Sequence, residues 1–139
     1  SDNSKAVKVV DRMYNNDPFS QWLGIERIQD GPGISRLRMT VRDEMLNGFS
    51  IAHGGITYSL ADSALAFAAN AYGTQAVSIE TSIAHTKPVK SGDVLETEVE
   101  ELSISRKLGI YQVKIKNQKE DLVALFKGTV YRTGKDWEV

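Results

Sequence analysis

One carboxylate stands apart from the other charges of this chain. Between Glu44 and Glu80 lie 35 residues, and Asp62 is the only Asp, Glu, Lys or Arg among them. At an ordinary charged fraction about nine would be expected. Most helix carboxylates simply reach solvent or cap a neighbour. A lone carboxylate in an apolar segment costs several kcal/mol to bury ionised, or its pKa rises until it is neutral. Chemistry is a common reason for keeping such a group. An activated carboxylate can take a proton from water or attack a carbonyl carbon directly. Nine residues before it stands His53-Gly54-Gly55. Taken alone, this is a tight turn with a packed His53. At a helix start it is also an oxyanion site. The first amides of a helix have no acceptor within it, the dipole adds positive charge there, and glycine lets a substrate carbonyl come close.

These groups need a helix to carry them. Residues 56–72 contain no Gly or Pro and are rich in Ala, the best helix former, and Gly73 follows as a stop. Ile56, Tyr58, Leu60, Leu65 and Phe67 spread around the cylinder, which predicts a buried helix. Its length of roughly 25 Å spans a small domain. Alternating patterns predict strands at 33–41, 76–88, 94–104 and 110–116, and a more continuously apolar central strand at 122–132. In the first of these, Ile34, Arg36, Arg38 and Thr40 alternate with Ser35, Leu37, Met39 and Val41. In the second, Val77, Ile79, Thr81 and Ile83 recur at period two. Residues 105–109 read as a hairpin loop, with Glu98 and Glu100 facing Lys116 and Lys114 across it. Residues 4–14 read as a short amphipathic helix with Val7, Val10 and Met13 or Tyr14 inward. The order is one short helix, one strand, a long buried helix, then four strands: an α+β architecture with the helix on one face of an antiparallel sheet.

Composition narrows the function. The length of 139 residues fits one domain, 1–139. Seventeen basic residues against eighteen acidic ones give a net charge of −1, which argues against a nucleic-acid partner. The chain has no cysteine. That excludes a disulfide scaffold, a cysteine nucleophile and a Cys-based metal site, and it is compatible with the cytoplasm. The start lacks the apolar core of a signal peptide, and no run is long enough for a membrane span. There is no nucleophile elbow, P-loop or dinucleotide-binding glycine pattern. Two histidines 32 residues apart make a poor metal site, so neither a metal nor a cofactor is expected.

The segment LNGFSIAHGGITYSLADSALAFAAN, residues 46–70, resembles the hotdog-fold acyl-CoA thioesterases of the PaaI type. Their hallmark is an Asn, then HGG, then an acidic residue nine positions after the His: here Asn47, His53-Gly54-Gly55 and Asp62. MYNND, KPVKSGD, GIYQVKIKNQ and VALFKG extend the likeness over nearly the whole chain. The resemblance implies a long central helix wrapped by a five- to six-stranded antiparallel sheet. It implies hydrolysis of acyl-CoA, with an aromatic acyl group such as phenylacetyl or a hydroxylated relative. It also implies that Gly54 supplies the key amide, with Gly55 beside it and His53 in support. Asn47 and Ser78 then lie near the reacting group, although each reads equally well as a plain turn or strand residue. Lys87, Lys90, Arg106, Lys107 and Arg132 are candidates for the coenzyme A phosphates. Asp62 activates water or forms a mixed anhydride.

A geometric constraint follows. Gly54 and Asp62, eight residues apart, are separated by about 12 Å along a helix axis, whereas both must lie within a few ångströms of one carbonyl. One helix cannot supply both, and two antiparallel helices can. The expectation is a homodimer with shared active sites, and the resemblance implies that such dimers pair again as a homotetramer. The competing reading from another class is a non-catalytic acyl-CoA sensor on the same fold. It is disfavoured because Asp62 is present and because this length leaves no room for a DNA-binding domain.

Overall fold

The structure, a computed structural model, describes residues 3–139. Its centre is α3 (Gly54–Asn70), around which six strands curl in one antiparallel sheet. The strands are β1 (Glu26–Gly31), β2 (Ile34–Thr40), β3 (Thr74–His85), β4 (Val94–Ile104), β5 (Leu108–Lys116) and β6 (Leu122–Asp136). Their spatial order is β1-β2-β4-β5-β6-β3, so β1 and β3 are the edges. Two helices, α1 (Ser4–Asn15) and α2 (Pro18–Leu23), precede the sheet, and a 3-10 turn spans Asp43–Met45. This is the helix-in-sheet arrangement that the resemblance implied. No helix among the described residues is long and apolar enough to cross a membrane.

The alternating strands bury the faces expected of them. Ser35, Leu37 and Met39 of β2, Leu95 and Thr97 of β4, and Tyr111, Val113 and Ile115 of β5 are all buried. They close over Leu60, Ala61, Ala64, Leu65 and Ala68 of α3. Thr97 has a special place among them. The β2–β4 ladder stops at Arg38 and Glu96. Beyond it, the Thr97 hydroxyl donates to Ser35 O at 3.0 Å and accepts from Leu37 N at 2.9 Å. A side chain thus continues the ladder where the strands part, and no buried backbone group is left unpaired there.

Several expectations need correction. The period-two set on β3 does not share one face. A bulge between Ser78 and Glu80 changes the phase of the strand. As a result Thr81 and Ile83 are half-buried, whereas Val77 and Ile79 are 56% and 59% exposed. The register of the β4–β5 hairpin is slipped by two residues from that predicted. Glu98 faces Lys114, and Glu100 faces Gln112. Lys116 reaches Glu98 diagonally at 3.0 Å. A register shift between Glu101 and Ser103 moves the centre of the hairpin. On α1 the buried residues are Ala6, Val9 and Val10, with Val7 turned outward. Both β1 and α2 were absent from the sequence reading.

Close approach of helix to sheet depends on Gly128 of β6. A Cβ built there would lie 2.5 Å from Leu65 Cδ2, and Leu65 is itself enclosed in the core. Gly128→Ala is therefore expected to lower stability by about 1–3 kcal/mol, as overpacking does. Adding Leu65→Val should recover part of that loss. Urea denaturation of the single and double variants checks both statements.

Candidate active site

The start of α3 is built by its own loop. His53 N donates to Met45 O at 2.9 Å and Ala52 N to Val89 O at 2.7 Å, which anchors the segment on both sides. Asn47 Oδ1 accepts from Phe49 N at 2.9 Å, so residues 47–49 form a side-chain-closed turn. His53 is the N-cap, and its Nδ1 accepts from Gly55 N at 2.8 Å. That bond engages the amide of Gly55, the residue expected to stand beside Gly54 at the substrate. Gly54 N has no acceptor among the described residues. The cap therefore leaves one helix-start amide available, and it is the one singled out by the resemblance.

Gly54 lines a cavity of about 360 Å3 together with Asn47, Thr57, His85, Lys87 and Val89. His85 was not among the expected site residues. Its Nε2 would lie 3.1 Å from a Cβ at Gly54, so its ring occupies the place a side chain would need. Its Nδ1 is 3.3 Å from Thr57 Oγ1, which in turn donates to Gly54 O at 3.1 Å. The sequence marked His85 only by its type, as one of two histidines in the chain.

Asp62 lies elsewhere. It is half-buried and lines a second cavity of about 420 Å3, together with Met13, Leu65, Ser78, Val130 and Trp137. The carboxylate has no hydrogen bond or ion pair among the described residues, and burial alone raises its pKa above the ordinary carboxylate value. Ser78 lines this cavity too. Gly54 and Asp62 share none: the two cavities have no lining residue in common.

Of the basic candidates only Lys87 lines either cavity. Lys87, just past the end of β3, lines the Gly54 cavity and pairs with Asp121 at 2.7 Å. Arg106 and Lys107 are exposed in the β4–β5 turn. Lys107 O accepts there from Arg132 N, and Arg132 is the β6 residue that faces Ala76 near the start of β3. Arg132 donates from Nη1 to Ser105 O at 2.9 Å and lies over the Tyr72 ring, so its guanidinium is held in the fold. Lys90 is exposed, and its backbone N donates to Asp93 Oδ2 at 2.8 Å.

Comparison with known proteins identifies the family. The Thioesterase superfamily profile matches residues 49–124. The acyl-coenzyme A thioesterase PaaI of Escherichia coli K12 is 38% identical over 130 residues, covering 94% of this chain and 93% of the relative. The structure of the E. coli PaaI protein from the phenylacetic acid degradation operon superposes with a TM-score of 0.94 at 37% identity, over 98% of this chain and 99% of that one. A thioesterase protein of Streptococcus pneumoniae TIGR4, solved with coenzyme A, gives 0.78 at 26% identity, over 81% and 88% of the two chains.

The lifted pKa of Asp62 has a consequence for stability. A carboxylate whose folded pKa is raised binds more protons when folded than when unfolded, so stability falls as pH rises through that range. Asp62→Asn removes this cost. The variant is expected to be more stable than the parent at pH 7, with the difference gone below the ordinary carboxylate range. Urea midpoints at pH 7 and pH 3 test the sign.

Proposed function

We propose that this chain, which belongs to the thioesterase superfamily and to its hotdog-fold PaaI-type acyl-CoA thioesterases, hydrolyses phenylacetyl-CoA or a hydroxylated relative at sites shared between two copies. One observation carries the proposal: an available helix-start amide at Gly54 and an unpaired carboxylate at Asp62, on one helix but in separate cavities.

The edge strand supports the sharing. β3 has 12 residues and an open side, and a long uncovered edge strand is a pairing surface. Val77 and Ile79 stand exposed on it, and beside it α3 leaves Tyr58, Ser59, Asp62 and Ala66 only half-covered. Antiparallel pairing of β3 with a second copy sets two α3 helices side by side. If Gly54 of each copy meets Asp62 of the other, the twofold axis passes α3 near Tyr58. The Tyr58 hydroxyl bonds Thr81 Oγ1, so the same axis meets β3 near Thr81. The pairing also brings Lys87 of one copy to the end of the sheet that carries Arg106 and Lys107 of the other, a suitable place for coenzyme A phosphates. Two such dimers then form the tetramer. The cytoplasm, where acyl-CoA is made and used, is the compartment this reading requires.

In the reaction, the thioester oxygen accepts from Gly54 N. Its negative charge grows there as water attacks the carbonyl carbon. Asp62 takes the proton from that water, and its raised pKa makes it the stronger base. The carbon–sulfur bond breaks, coenzyme A leaves as a thiolate, and the free acid remains. A thiol pKa near 8.5 makes the thiolate a good leaving group without a strong general acid.

Asp62→Asn keeps the shape and removes the base. Turnover of phenylacetyl-CoA, followed by thiol release, is expected to fall at least about a hundredfold, with substrate binding retained. In the wild type, kcat/KM should fall as pH drops through the raised Asp62 pKa. Near-normal turnover in the variant would remove Asp62 from the mechanism.

Sharing has its own test. Gly54→Pro removes the N–H at a helix position whose backbone tolerates proline, at the cost of a shift of the His85 ring, and it should be inactive alone. Co-refolded in equal amounts with Asp62→Asn, it should recover about a quarter of wild-type activity. Half of the randomly paired dimers are mixed, and each of those has one intact site of two. No recovery from well-folded mixed dimers would rule out the shared site.

A further inference from the structure

The far end of the Asp62 cavity is held by a side chain that no catalytic step uses. Asn70, at the end of α3, is buried. Its Nδ2 donates to Ala66 O at 2.8 Å and to Ala76 O at 3.0 Å, and its Oδ1 accepts from Ala76 N at 2.9 Å and from Trp137 Nε1 at 2.9 Å. An Asn side chain has two donor hydrogens and two lone pairs, so every one is engaged. The segment after β6 is fixed at two more points. Trp137 N donates to Gly73 O at 2.8 Å, and Arg12 Nη1 donates to Glu138 O at 2.6 Å. These bonds hold Trp137 in place, where it contributes to the lining of the Asp62 cavity.

An indole has a single polar atom, its N–H, and Asn70 takes it. What Trp137 offers the cavity is aromatic hydrocarbon. Met13 of α1 lines the same cavity, with a soft thioether that packs well on aromatic rings. Leu65, Ala66 and Val130 extend the apolar wall, and Asp62 is the only charged residue in the lining. The volume of about 420 Å3 lies within the range of small-molecule sites. From Asp62 to Asn70 the helix rises about 12 Å. An acyl group whose carbonyl carbon sits at Asp62 has this cavity in which to extend.

We propose that Trp137, oriented by Asn70 and flanked by Met13, is the specificity-determining wall of the acyl pocket and selects a flat aromatic acyl group over a linear aliphatic one of similar size. This rests on the thioesterase reading above and adds to it the residue that chooses the acyl group.

Two substitutions separate a wall from a structural lock. Trp137→Phe keeps an aromatic face and loses the bond to Asn70, whereas Trp137→Leu keeps apolar bulk and loses both. The quantity to measure is the ratio of kcat/KM for phenylacetyl-CoA to that for hexanoyl-CoA, with thermal denaturation confirming the fold. Trp137→Leu is expected to lower the ratio about tenfold, the scale of one aromatic pair, mostly through KM. Trp137→Phe should hold the ratio near wild type. An unchanged ratio in Trp137→Leu, or an equal fall in both variants, would overturn the proposal. A second measurement does not depend on turnover. Trp22, exposed on α2 and stacked on Phe19, can be replaced by Phe to leave Trp137 as the only indole. Phenylacetate should then quench its fluorescence and coenzyme A alone should not. Absence of that quench also counts against the wall. A wild type that binds phenylacetate at Trp137 but hydrolyses no acyl-CoA would defeat the thioesterase reading while leaving the aromatic wall in place.

Discussion

A rise of 1.5 Å per residue along an α-helix is the constraint on which the rest of this structure depends. The oxyanion amide and the carboxylate sit on one helix, eight residues apart, and no bending of a single copy can bring them to one carbonyl. The architecture answers with incompleteness. The sheet curls around α3 but leaves Tyr58, Asp62 and Ala66 half-covered, residues spaced four apart and hence on one face. Beside that stripe the sheet ends in an open strand with Val77 and Ile79 exposed along it. The uncharged run from residue 45 to 79 then has two causes. Part of it is ordinary core. The remainder, including Val77 and Ile79, is surface that a second copy would cover, where an unpaired charge would be desolvated.

Within that surface Asp62 is kept free of partners although acceptors and donors lie close by. Asp17 caps α2, accepting from Ser20 N at 2.9 Å and Ser20 Oγ at 2.6 Å. Ser20 Oγ is 2.8 Å from Ser63 Oγ, the residue after Asp62. The clamp of α2 on α3 thus ends one position from the carboxylate and satisfies a different acid. Neutralising Asp62 with a basic neighbour would lower its pKa and weaken it as a base. Leaving it unpaired in apolar surroundings does the reverse and accepts the cost in stability. The Gly54 end follows the same logic with opposite charge, since His53 caps one amide and leaves the other open.

The parts of this protein legible in the sequence were those with a strong local pattern. The α3 run, the alternating β2, β4 and β5, and the isolated Asp62 all carry their meaning in residue type and spacing. The elements not read lack such a pattern. β1, with the sequence ERIQDG, is an edge strand that is mostly exposed, so nothing alternates. α2 has sound boundary signals, an Asp17 cap, Pro18 at the first position and Gly24 at φ 75° after its end. Only Ser20 and Leu23 are buried on it, which leaves no periodic stripe. The β3 bulge and the hairpin register depend on pairing partners far along the chain. The same holds for the site. Spacing pointed to Gly54 and Asp62, but His85 reaches Gly54 from a strand 31 residues later, and Trp137 reaches Asn70 across 67 residues.

That division has a functional side. On the proposed reading, the groups that handle the thioester come from one continuous stretch, residues 47–62, and its loop is tied down by backbone bonds to Met45 and Val89. Backbone ties do not depend on side-chain identity, so the stretch keeps its geometry whatever happens around it. The wall of the Asp62 cavity is assembled differently. Met13 comes from the first helix and Trp137 from beyond the last strand, and the indole is oriented by one amide side chain. Asn70 joins the end of α3, the start of β3 and the tail through four hydrogen bonds, so the position of the wall is set without involving Gly54 or His53. Replacing what stands at 13 or 137 alters the shape and chemistry of the pocket and leaves the oxyanion site untouched. A small fold with a fixed catalytic stretch can in this way change its acyl selectivity through residues at the two ends of its chain.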